Sequence, residues 1–243
     1  MIRAVATGLG IAALVAGCGG GDGSDPSTSF LSVYVGTTDT NRDLTGIVLP
    51  DGNYYLVYSA VGDAGTVAGA VQGTSTATNG TFASTDAVDF SAEGPSTKPS
   101  TVTGTITPGS SFGGTITATA GGTPVAFQSH TTGGIPPAAS VAALAGAYTG
   151  NAGFALGVRP ATFTVTADGS VSSTINGCAI SGKATPRADG NAYDLTIAFG
   201  GAPCALPGLA FTGIAFQRPD TGRLYAVARN ATYKQSVIFE GAR

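Results

Sequence analysis

Tryptophan is absent from the sequence, histidine and methionine occur once each, and charged residues make up only 10% of it. Each shortage removes a class of chemistry. With His130 the sole imidazole and no Gly-x-Ser-x-Gly turn to carry a nucleophile, a serine-histidine mechanism has no framework, and His130 reads as a solvated residue at a strand end. A zinc centre needs more ligands than two cysteines and a distant histidine supply. No glycine-rich segment lies between a strand and a helix ahead of a lysine, as a phosphate loop would. The acidic balance, net −3, argues against nucleic acid as a partner. Long apolar runs are also missing after residue 16, so nothing later in the chain is long enough to span a membrane as a helix. What is plentiful is glycine, at 38 copies, beside abundant threonine, alanine and serine. Glycine and threonine are poor helix formers while threonine and valine suit strands, so the expected class is all-β.

The start of the chain carries an address. Met1-Ile2-Arg3 supplies one positive charge, Ala4 to Ala16 is apolar but too short for a stable span, and small residues precede a cysteine. Val15-Ala16-Gly17-Cys18 resembles the bacterial lipobox, which implies cleavage after a signal peptide over 1–17 and acylation of Cys18 as the first mature residue. Acyl chains contribute roughly 0.8 kcal/mol per buried methylene, so the lipid bilayer is the first expected partner, held without a spanning helix. Residue 19 is Gly rather than Asp, and by analogy with known lipoproteins this implies the outer membrane, with the protein at its periplasmic face or on the cell surface. Gly19 to Ser29 has nothing apolar to bury and reads as a flexible tether.

Beyond the tether two modules are expected, over 30–130 and 140–243, joined by a linker at 131–139 that contains Gly-Gly and Pro-Pro. Their openings are alike: Phe30, Tyr34 and Gly36 match Leu144, Tyr148 and Gly150 in spacing, with Ser140 placed to cap a short helical turn. A second likeness joins Leu44-Thr45-Gly46-Ile47 and Tyr55 to Phe211-Thr212-Gly213-Ile214 and Tyr225, early in one module and late in the other. The modules differ in charge, with seven acids and two bases over 30–139 against five acids and eight bases over 140–243. Opposite signs favour docking, but exposed pairs contribute only about 0–1 kcal/mol each, so a fixed arrangement needs apolar contact too. Cys178 and Cys204, an even pair in an exported chain, read as a disulfide.

Period-two alternation marks the strands, for example Phe163, Val165 and Ala167 between threonines, with Asp168-Gly169 expected to form a tight type I′ turn. Glycine recurs in phase with apolar residues, as in Leu44-x-Gly46-x-Val48, Val67-x-Gly69-x-Val71, Val102-x-Gly104-x-Ile106 and Phe211-x-Gly213-x-Ala215. Bare inner positions permit the sharp coiling that small barrels require. The expected fold is therefore two small antiparallel, lipocalin-like β-barrels of about eight up-and-down strands each, with a β-sandwich as the alternative.

Candidate binding residues are few. Tyr54 and Tyr58 fall on one face of a strand and Tyr55 on the other, placing at least one at a barrel mouth or on the outer surface. Arg223 and Arg229 bracket a strand and share its face, and Arg159, Arg187 and Arg218 lie beside prolines read as turn formers; together they suit an anionic ligand. Asp86, Asp89 and Glu93 are expected as solvated acids facing opposite ways, and Asp22-Gly23-Ser24-Asp25 lacks the further ligands of a calcium loop, so neither a catalytic set nor a metal or cofactor site is expected.

The Cys-Gly-Gly-Gly leash, the Tyr-x-Gly openings, the Pro186-Arg187-x-Asp189-Gly190-Asn191-x-Tyr193 segment and the ending Arg223-Leu224-Tyr225 to Phe239-x-Gly241 resemble those of proteobacterial lipoproteins with no assigned activity. In architecture the chain is also similar to surface lipoproteins of the transferrin-binding-protein B and factor-H-binding-protein type. That resemblance implies surface exposure and protein binding, with no ligand motif to carry over. The expected function is a non-enzymatic, membrane-anchored binding protein for an unidentified protein or small molecule; the alternative is a carrier of a small apolar or anionic ligand inside a barrel.

Overall fold

The structure, a computed structural model, describes residues 32–94, 96–133, 138–154, 156–232 and 234–243. The leader, Cys18, the tether and residues 134–137 of the expected linker lie outside the described residues. The first module contains β1 (Val33–Thr38), β2 (Asp43–Val48), β3 (Asn53–Ala60), β4 (Asp63–Thr74), β5 (Thr76–Thr78), β6 (Thr81–Ser91), β7 (Ser96–Thr107), β8 (Ser111–Ala118) and β9 (Val125–Thr131). All pairings are antiparallel, β1 meets β9, and β4 pairs with β6, which closes an eight-stranded barrel and leaves β5 as a short addition to β6.

The second module begins with α1 (Val141–Leu144) and continues through β10 (Gly146–Phe154), β11 (Gly157–Val165), β12 (Ser170–Ile175), β13 (Cys178–Pro186), β14 (Ala192–Phe199), β15 (Ala210–Gln217), β16 (Leu224–Arg229) and β17 (Ser236–Ala242). These eight strands form a second closed barrel in up-and-down order. The sandwich alternative is thereby excluded. Ser140 caps α1 by accepting a hydrogen bond from the Ala143 amide at 3.2 Å, and Leu144 enters the barrel core.

The first likeness in the sequence marks where each barrel closes. Tyr34 and Tyr148 point inward, fully buried, on the first strand of their barrels. Two residues on, Gly36 and Gly150 lie against the last strand so closely that a methyl group at either would overlap a backbone carbonyl oxygen, of Gln128 or Glu240. Only glycine admits this approach, and it tightens the coil.

The second likeness has another origin. Alternation fills each barrel on its inner side, with Tyr34, Tyr54, Phe82, Phe112 and Phe127 in the first and Tyr148, Phe163, Phe211 and Phe239 in the second. A third buried cluster takes residues from the outside of both: Val33, Ile47, Val57, Val67 and Phe90 pack with Ile214, Phe216, Tyr225, Val227 and Ile238. Ile47 with Tyr55 and Ile214 with Tyr225 thus lie on the two faces that meet. Polar links frame this interface: Arg187 pairs with Asp51 at 2.8 Å, and the Asn151 side-chain amide donates to the Gly65 carbonyl at 2.9 Å. Complementary charge contributes, and apolar burial between the barrels fixes their placement.

Two local expectations need correction. The hairpin at Asp168-Gly169 forms, but only Gly169 has a positive φ, of 83°; a three-residue loop results because the Asp168 carboxylate accepts hydrogen bonds from Thr166 and Ser170 on either side. Val67 is not in phase with Gly69 and Val71. A register shift between Tyr58 and Ser59, opposite Gly69 and Val67, turns Val67 outward into the interface.

Candidate binding site

The three tyrosines of β3 separate into three environments. Tyr54 is completely buried in the first barrel and donates to the Ser84 hydroxyl at 3.0 Å, so it presents no surface to a ligand. Tyr55 packs against the inter-barrel cluster. Tyr58 alone lies at a mouth, where it borders a cavity of about 270 Å³.

That mouth is the end of the first barrel formed by the turns after β1, β3, β6 and β8, opposite the end at which β1 enters. Tyr58 fits because Gly69, its cross-strand partner, has no side chain; a methyl group there would overlap the phenol. The hydroxyl donates to one oxygen of Asp89 at 2.8 Å. Burial raises the Asp89 carboxyl above its ordinary range, while the Tyr58 hydrogen bond and the charges of Lys98 and Arg42 oppose the rise. Burial, with Asp89 beside it, raises the Tyr58 phenol as well. Arg42 lies over the Tyr58 ring at 5.4 Å, donates to the Ser59 carbonyl at 2.8 Å and pairs with Glu93 at 2.7 Å. Lys98 stands directly across from Asp89 in the β6–β7 register. The same cavity is lined by Leu44, Val71, Ile116 and Val125 and by Thr38, Thr40 and Ser91.

Asp89 therefore differs from its expectation as a solvated acid. A bulge between Ser84 and Ala87 shifts the alternation of β6, so Phe82 and Ser84 point inward before it and Ala87 and Asp89 after it. Asp86 sits in the bulge itself and accepts from the Thr74 amide at 2.9 Å and the Ser84 hydroxyl at 3.0 Å. Asp86, Asp89 and Glu93 do not converge, and among the described residues no group of three or more His, Cys, Asp or Glu is placed to hold a metal ion. His130 is exposed on β9 between Val35 and Ser111.

The arginines are also dispersed. Arg223 and Arg229 lie at opposite ends of β16, about 20 Å apart by strand rise, and do not share a ligand site. Arg223 pairs with the buried Glu240 beside a polar inter-barrel cleft of about 250 Å³, and Arg229 lies near Tyr55. Arg187 is held by Asp51, Asp189 and Asp194, and Arg218 by Asp220. Arg159 and Pro160 lie within β11 rather than in a turn.

In the second barrel the Cys178–Cys204 disulfide, with 4.5 Å between Cα atoms, borders an apolar mouth of about 210 Å³ that also includes Phe154, Leu156 and Phe199. Inside that barrel, among the described residues, the apolar cavity lined by Leu144, Phe163, Leu195 and Phe239 opens to about 30 Å³, room for water but small beside the cavities at the mouths. Lys98 escaped sequence reasoning because its importance lies in its register opposite Asp89, which a bulge sets. Comparison with protein-family models gives no match, and comparison with curated proteins gives none.

Proposed function

We propose that the protein is an envelope lipoprotein, anchored in the outer membrane through acylated Cys18, that acts by binding and not by catalysis. The observation that carries the binding role is the distribution of space: side chains fill the barrel interiors and a shared core joins their outer faces, while the open volume lies at the mouths and in the cleft between barrels. The second barrel's closed interior turns the carrier alternative toward the mouth of the first. The disulfide supports an exported, oxidising location.

Two experiments test the reading. Cys18→Ser should abolish incorporation of labelled palmitate and release the protein from membrane fractions; unchanged membrane partition of that variant would reject the anchor. Protease treatment of intact cells, with a periplasmic control, separates the two faces: peptides from both barrels place the partner outside the cell, and complete protection places it in the periplasm.

A further inference from the structure

We propose that the mouth of the first barrel binds a free α-amino acid with an aliphatic side chain. The inference rests on the binding role above and is independent of the lipid anchor.

Its basis is a pair of opposite charges that face one cavity without pairing with each other. Asp89 and Lys98 are cross-strand neighbours on the inward face, where directly opposed side chains start about 5 Å apart. They form no ion pair, although the ammonium is close enough to pull the Asp89 carboxyl downward. Tyr58 satisfies one Asp89 oxygen. The second cation, Arg42, is occupied by Glu93, the Ser59 carbonyl and the Tyr58 ring. Lys98 is thus the cation available to a ligand acid, and the remaining Asp89 oxygen is the acceptor available to a ligand ammonium.

The alternatives fit less well. A simple anion would meet Asp89, and a simple cation would meet Lys98 with Arg42 behind it. An uncharged apolar molecule would strip water from both charges and return nothing. A zwitterion completes both, with its carboxylate toward Lys98, its ammonium toward Asp89 and its side chain against Leu44, Val71, Ile116 and Val125. At about 270 Å³ the cavity falls below the roughly 300–1,000 Å³ of sites for drug-sized ligands, which suits a single small metabolite.

The test is calorimetric titration of the full chain in detergent with L-leucine, 4-methylpentanoate, isoamylamine and phosphoethanolamine. Leucine should bind, and the acid lacking an ammonium and the amine lacking a carboxylate should each bind roughly tenfold or more weakly. Asp89→Asn should weaken leucine by a similar factor. Lys98→Met, at an exposed position where folding is not at stake, should abolish the preference for leucine over isoamylamine, a change that misfolding does not produce. Absence of leucine binding at millimolar concentrations overturns the inference, as does unaltered leucine affinity in both variants. Tighter binding of phosphoethanolamine overturns it in favour of a lipid headgroup. None of these outcomes bears on the anchor, which the Cys18 experiment decides separately.

Discussion

Phe216→Ala should destabilise the whole protein by about 3–5 kcal/mol, the range for removing a large aromatic ring from a packed core. Phe216 points away from its own barrel, yet it is fully buried, because it stacks on Tyr225 at 5.6 Å within the cluster that joins the barrels. Its loss should therefore lower the stability of both barrels together. Guanidinium unfolding followed by tyrosine fluorescence, convenient in a chain without tryptophan, reads this directly. A midpoint shift worth less than about 1 kcal/mol would show that the interface contributes little, and a shift confined to one of two separate transitions would show that the barrels unfold independently.

The second large effect belongs to the disulfide. Cys178 and Cys204 are 26 residues apart, and closing a loop of that length constrains the unfolded chain by about 3.5 kcal/mol in the chain-entropy treatment. Cys178→Ser combined with Cys204→Ser should lower the urea midpoint accordingly, and reductant should reproduce the loss in the parent protein without affecting the double variant. Equal midpoints for parent and variant under oxidising conditions would remove the bridge as a source of stability. Its position at the mouth of the second barrel, bordering Phe154 and Phe199, means that the loss should begin there.

Much of the architecture is written in local pattern. Alternation along Tyr193, Leu195, Ile197 and Phe199 gives a strand with one buried side, and glycines in phase with apolar neighbours indicate coiling tight enough to close a barrel. The cap at Ser140 and the cysteine pair follow from residue type and spacing. What alternation cannot carry is a change of phase. The bulges near Ser59 and at Asp86 reverse inside and outside within single strands, sending Val67 to the interface and Asp89 to the mouth. Nothing in Ser84-Thr85-Asp86-Ala87-Val88-Asp89 announces this, since backbone hydrogen bonds to a neighbouring strand decide where the extra residue goes.

The interface did leave a signal. Ala226-Val227-Ala228 and Val237-Ile238-Phe239 are apolar at consecutive positions, the mark of a strand covered on both faces. Read that way, β16 and β17 identify themselves as the contact surface of the second barrel. The candidate binding site was less legible: Tyr58 was found by its place in an aromatic strand, but its partners are set by long-range register.

The shared outer core has a topological consequence. β9 ends at Thr131 and α1 begins at Val141, so a cut between them severs none of the described strands. What holds the two halves together is the patch that each would otherwise expose to water, Val33, Ile47 and Phe90 on one side and Phe216, Val227 and Ile238 on the other. The two barrels share a core as the subunits of a dimer do, with the covalent link raising their effective concentration, and this shared core is a basis for complementation between separately made fragments.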